Sequence, residues 1–217
     1  MSCASVPFTE SQTPIDQVPM YGGMDRNAIP ELKKADEKLI AGTTKEFGSR
    51  DKASAAFVNR GFTLYYQDDL AKAMKQFNQA WLLNPDNPKV YWGFASVLHD
   101  WGRNCKAMEM INKALGYNQY FTGLYPDAGR LITLCAVSDS TLNVEEKNKL
   151  FDEADSFYVE AETRDINKVY VYFSWATSYY WRGEYENAWK MVKKVRSYGE
   201  DVSGQFLELL ESKMMEP

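Results

Sequence analysis

The chain has 217 residues, 45% of them apolar and 14% aromatic, and its 25 basic and 30 acidic side chains give a formal net charge of −5. Because lysine and arginine are scattered rather than gathered on one stripe, the charge pattern typical of a nucleic-acid-binding protein is missing. No apolar run approaches the roughly 20 residues that cross a bilayer. Three cysteines and one histidine offer too few ligands at zinc spacing, so we expect neither a metal site nor a cofactor.

Residues 1–26 are predicted to form an extended or disordered leader, because they hold prolines and a glycine pair with few branched apolar residues. Its Cys3-Ala-Ser opening resembles the start of a mature bacterial lipoprotein, which implies a lipid on Cys3 and a membrane-anchored periplasmic location. Contact with a membrane is expected only through that lipid. The alternative is a cytoplasmic protein in which Cys3 is incidental.

A helix is predicted to begin near Pro30 and to end at Gly48, with Ser49 capping the next one. From there the sequence repeats with a period of 34 residues. Residues of similar size and polarity pair up across that interval: Phe57 with Tyr91, Gly61 with Ala95, Leu64 with Leu98, Ala73 with Ala107, Phe77 with Ile111 and Ala80 with Ala114. A period of this length indicates stacked helix pairs, none of which can bury its own apolar face alone.

Four repeats fit the chain, followed by a capping helix with one apolar stripe. The third repeat carries an insertion between its helices, within Val137–Leu150, which is predicted to be an extended loop or an added turn of helix. The predicted bounds are 54–87, 88–121, 122–168 with the insertion, 169–201, and 202–215 for the cap.

The spacing and residue types resemble the tetratricopeptide repeat family. The matching residues are Gly61, Ala73, Phe77, Ala80 and Pro85 in the first repeat and Gly183-Glu-Tyr185-Glu-Asn-Ala188 in the last. The resemblance implies an all-α domain over residues 27–217: a right-handed superhelix of about four helix pairs with a flanking helix at each end. It also implies small residues where the two helices of a pair cross.

In that family the first helices of successive pairs line a concave face, which implies a binding site on it. The predicted partner-binding residues are Phe62, Tyr65, Tyr66, Trp92, His99, Arg130, Phe173, Tyr180 and Trp181. Aromatic side chains in a concavity favour an extended or helical peptide, and Arg130 could pair with a carboxylate of such a ligand. The alternative is that the leader or the C-terminal helix packs there and makes these aromatic residues part of the core.

The sequence therefore favours a non-enzymatic scaffold that binds a peptide or protein partner, with no nucleic acid. The alternative function is that of a self-associating subunit of an envelope complex. A catalytic role for His99, Asp100 and Cys105 is disfavoured. His99 and Asp100 are consecutive on a helix, so their side chains point about 100° apart and Asp100 cannot orient the imidazole ring.

Cys105 and Cys135 are predicted to lie near adjoining helix ends, which allows a disulfide between them. In an oxidising compartment we expect that bridge, whereas in the cytosol the two residues would be small buried apolar side chains.

Overall fold

The computed structural model describes residues 14–217, and it contains α-helices and 3-10 helices but no strand within that range. The α-helices are α1 (Pro30–Phe47), α2 (Arg50–Tyr66), α3 (Leu70–Leu83), α4 (Pro88–Asp100), α5 (Asn104–Leu115), α6 (Leu124–Ser138), α7 (Val144–Arg164), α8 (Lys168–Trp181), α9 (Tyr185–Ser197) and α10 (Gly204–Glu211). The predicted all-α class is confirmed for these residues. Over the same range, no helix combines the length and the apolarity that spanning a membrane requires.

The chain divides into two compact units, the first ending at Gly102 and the second beginning at Arg103. The division falls in the turn between α4 and α5, inside the predicted second repeat, 88–121. Gly102 has a φ of 73°, a left-handed conformation that glycine adopts without steric cost. Unit 1 thus holds α1 to α4, and unit 2 holds α5 to α10.

Unit 1 is built around α3, which contacts α1, α2 and α4. The aromatic ring of Phe77 on α3 is fully buried, and a Cβ atom at Gly61 of α2 would lie 2.4 Å from it. The same distance separates that ring from a Cβ atom at Gly93 of α4. These close approaches require glycine, which agrees with the small residue predicted at the crossing of the first helix pair.

Unit 2 repeats this arrangement with a different ring. Helix α6 contacts α5, α7 and α8, and α8 packs against α9. A Cβ atom at Gly129 of α6 would lie 2.6 Å from the ring of Tyr158 on α7, which is fully buried. Around α8 and α9 the core includes Trp175 and Trp189, and α10 adds Phe206 to it.

The insertion of the third repeat forms a short linker and a longer second helix. Helix α6 ends at Ser138 and α7 begins at Val144, so only residues 139–143 lie between them. Helix α7 has 21 residues, whereas α3, the second helix of the first pair, has 14. Asn143 caps the start of α7. Its side chain accepts a hydrogen bond from the main-chain N–H of Glu146, and the side chain of Glu146 accepts one from the main-chain N–H of Asn143. The added sequence is therefore mainly extra helix.

The described part of the predicted leader is ordered against unit 1. It forms three short 3-10 helices, Ile15–Gln17, Pro19–Gly23 and Arg26–Ala28. The first two contact α3, and the third contacts α1. This differs from the predicted extended or disordered state, because the buried side chain of Asn78 on α3 binds the main chain of this segment.

Candidate functional site

The structure brings four of the predicted binding residues together in unit 1, and we call Phe62, Tyr65, Tyr66 and Trp92 the aromatic cluster. Three of them lie at the end of α2 with spacings of three and four residues, which places their side chains side by side on one face of the helix. Trp92 comes from α4. Its ring centroid lies 4.7 Å from that of Phe62.

The cluster is anchored in the core and extends into solvent. The Phe62 ring contacts the buried ring of Phe77 at 5.1 Å and stacks on Tyr66 at 6.3 Å. Tyr65 and Tyr66 meet edge to face at 5.5 Å. Tyr66 is 77% exposed. An aromatic surface with an exposed outer ring supplies contact area at little cost in conformational entropy.

His99 lies in the last turn of α4, half-buried. It is seven residues beyond Trp92, close to two full turns of helix, so the two side chains share a face of α4.

In unit 2, Arg130 is held by an acidic neighbour on its own helix. Its Nη2 atom lies 3.2 Å from Oδ1 of Asp127, and the Arg130 side chain is 24% exposed. Burial works against the charge of Arg130, but the carboxylate of Asp127 outweighs it and raises the pKa of the guanidinium. Arg130 therefore already has the carboxylate partner that was predicted to come from a ligand.

Two tyrosines complete a polar cluster around that ion pair. The hydroxyl of Tyr170 on α8 donates to Asp127, and burial together with that carboxylate raises the pKa of Tyr170. The hydroxyl of Tyr158 bonds the Ser178 hydroxyl at 2.6 Å and donates to the Ser174 carbonyl at 3.0 Å. Burial also raises the pKa of Tyr158, so both phenols stay protonated and can donate. These groups tie α6, α7 and α8 together.

The C-terminal helix covers two more of the predicted residues. The ring of Phe206 on α10 lies 5.6 Å from that of Phe173 and 5.8 Å from that of Tyr180. Tyr180 also contacts Tyr185 at 5.9 Å. For Phe173 and Tyr180 the alternative interpretation therefore holds, in which the C-terminal helix packs on them. Trp181, next along α8, is 54% exposed.

Cys105 and Cys135 are joined in the structure by a disulfide between α5 and α6, with their Cα atoms 4.6 Å apart. The predicted lipid site, Cys3, lies outside the described residues.

Among the residues with specific polar contacts that were not singled out from the sequence are Asn78, Asp127 and Tyr170. Asp127 precedes Arg130 by three residues, a spacing at which opposite charges pair on a helix, so that signal was present. Asn78 and Tyr170 gave no local signal, since their partners lie 43 or more residues away.

In the described part of the chain, no three His, Cys, Asp or Glu side chains are grouped as a metal site requires. Comparison of the sequence and the structure with protein-family models, curated proteins and solved structures gave no match.

Proposed function

We propose that this chain is a non-enzymatic scaffold that binds a peptide or protein partner through the aromatic cluster of unit 1. The observation that carries the proposal is Tyr66, which is 77% exposed and contacts the rings of Phe62 and Tyr65. Aromatic side chains have only two rotatable bonds and therefore lose little entropy on binding, and such residues are common at the centres of protein interfaces.

We also propose that the helix pairs are repeats of the tetratricopeptide type. Each unit supports this by itself: a glycine on a first helix faces a buried ring on the second, Phe77 in unit 1 and Tyr158 in unit 2. Successive first helices also contact each other, α2 with α4 and α6 with α8. Tyr66 and Trp181 lie at the ends of the first helices α2 and α8, and both are exposed.

An oxidising compartment such as the bacterial periplasm is the proposed location, with a lipid on Cys3 as the membrane anchor. The bridge between Cys105 and Cys135 supports it, because disulfides persist in oxidising compartments and are rare in the cytosol. Mass analysis of the native N-terminus tests the lipid.

The experiment is a selection of peptides on the immobilised full chain from a random-sequence library, followed by calorimetry with the enriched peptides. Tyr66→Ala is expected to weaken binding at least about tenfold. Tyr198→Ala is the matched control, because Tyr198 is a 53% exposed tyrosine in unit 2. The affinity of this variant for the peptides should stay within about twofold of the wild-type affinity.

Equal affinities for wild type and Tyr66→Ala would contradict the proposal. Sedimentation of the free chain at several concentrations tests the competing assembly role. A monomer throughout supports the scaffold, whereas association that grows with concentration supports assembly.

A further inference from the structure

Residues 14–28, which we call the strap, are held by hydrogen bonds between the side chain of Asn78 and their main chain. The side chain of Asn78 is fully buried. Its Oδ1 accepts from the N–H of Tyr21 at 2.9 Å, and its Nδ2 donates to the carbonyls of Asp16 and Val18 at 2.9 and 2.8 Å. One carboxamide thus uses its acceptor and both of its donors on a turn of another segment, as a peptide-binding residue does.

The strap also inserts one aromatic side chain between charged residues. Tyr21 is 6% exposed, and the guanidinium of Arg26 lies 4.0 Å from the centroid of its ring. Arg26 in turn makes a two-pronged ion pair with Asp36 on α1, at 2.7 and 2.6 Å. The surface of α1 and α3 around Asn78 and Asp36 is the seat of the strap. The seat binds the turn through Asn78 and the cation through Asp36, while the buried Tyr21 ring lies under the guanidinium of the strap's own Arg26.

The strap is held in a strained backbone conformation. Met20 and Tyr21 both have φ of 52°, in the left-handed region that residues with a side chain seldom adopt. Such residues persist only when surrounding contacts impose them, and here the contacts of Asn78 and Arg26 do so. This strain weakens the hold of the strap on its seat.

The seat is also larger than the strap requires. A partly open cleft of about 430 Å³ lies between residues 24–27 of the strap, α1, the start of α2 and the end of α3. Trp81 and Lys33 are among its lining residues. A volume of that size lies within the range of small-ligand pockets, so the strap leaves room for further side chains.

We propose that this seat is a second peptide-binding site, occupied in cis by the strap and open to exchange with a peptide of the same chemistry. The ligand class is a turn-forming segment with a tyrosine followed five residues later by an arginine. Because the strap is tethered, its effective concentration is in the millimolar range, and it masks the site until it is weakened or outcompeted. The seat lies on α1 and α3, so the proposal does not depend on the aromatic cluster.

The test titrates a fluorescein-labelled synthetic peptide of residues 14–28 into the full chain. Tyr21→Ala in the chain weakens the strap without altering α1 or α3, so the peptide should bind this variant at least about tenfold more tightly than wild type. Adding Asn78→Asp keeps the size of the side chain and replaces its two donors with an acceptor. That double variant should lose the gain.

Two controls make the outcome decisive. An unlabelled peptide carrying the Tyr21→Ala change should fail to compete, and Tyr66→Ala in the Tyr21→Ala chain should leave binding unchanged, which separates this site from the aromatic cluster. Should Tyr21→Ala lose helical content by circular dichroism, Arg26→Ala replaces it, since this change also lies outside the seat. Equal binding to wild type and the weakened-strap variant, or binding that survives Asn78→Asp, would overturn the proposal.

Discussion

The two units carry aromatic side chains at the same repeat positions but use them differently. Tyr65 and Tyr66 at the end of α2 correspond in repeat register to Tyr180 and Trp181 at the end of α8. In unit 1 the exposed ring rests on Phe62, which continues into the core. In unit 2 the position of Phe62 is taken by a threonine, and α10 packs Phe206 on Tyr180 instead. The last position of these helices is thus exposed in both units, as Tyr66 and Trp181, while in unit 2 a later helix partly covers the residue before it, Tyr180.

The largest effect on stability is expected from removing the ring of Phe206, which packs on α8 in unit 2. Phe206→Ala should lower the free energy of unfolding of unit 2 by about 3–5 kcal/mol, because a buried phenylalanine is lost. It should also expose Phe173 and Tyr180. Urea-dependent hydrogen exchange, read separately for α8 and α2, measures the loss. Leu209→Ala, at a 51% exposed position on α10, is the control and should change stability by less than about 0.5 kcal/mol.

The next largest effect is expected from removing the disulfide of unit 2. Cys105 and Cys135 are 30 residues apart, and closing a loop of that length is worth about 3–4 kcal/mol in the chain-entropy model. Replacing both with serine should therefore lower the urea midpoint of unit 2, while the exchange of α2 and α3 in unit 1 stays unchanged. An equal loss in both units would contradict this expectation.

A smaller effect should follow from replacing Tyr158, the buried ring at the helix crossing of unit 2, with phenylalanine, the residue type that Phe77 provides in unit 1. Tyr158→Phe keeps the contact with Gly129 but removes the hydroxyl that bonds the Ser178 hydroxyl and the Ser174 carbonyl, at a cost of about 1–3 kcal/mol. Adding Ser178→Ala should recover part of that loss, because both polar partners are then gone. A double variant that is less stable than Tyr158→Phe in urea unfolding would show that the hydroxyl pair is not what matters.

The smallest effect concerns pH. Hydrogen bonds from Lys194 and Tyr172 to Glu162 lower the pKa of that carboxyl. Its stabilising contribution is present above the unfolded pKa of about 4.3 and is lost as pH falls through the lower folded value. Glu162→Gln should cost less than about 1 kcal/mol at pH 7, since the side chain is 33% exposed, and nothing at pH 2. A cost that is independent of pH would contradict this.

Local patterns in the sequence were enough to predict the helices and several of their ends. Gly48 ends α1 with a φ of 81°, and Ser49 caps α2 by accepting from the Lys52 N–H, both as expected. The contacts that decide which aromatic rings stay exposed could not be predicted in this way. Phe206 packs on Phe173 and Tyr180, which lie 33 and 26 positions earlier in the chain, and a residue's own neighbours carry no record of such a partner.

The most direct test of the central claim is hydrogen exchange of the full chain with and without a selected peptide partner, resolved by segment. If the aromatic cluster binds the partner, exchange should slow at the end of α2, around Tyr66, and in the part of α4 around Trp92. Slowing confined to α8 and α10 of unit 2, with no change in α2 and α4, would contradict the assignment of the binding surface to unit 1.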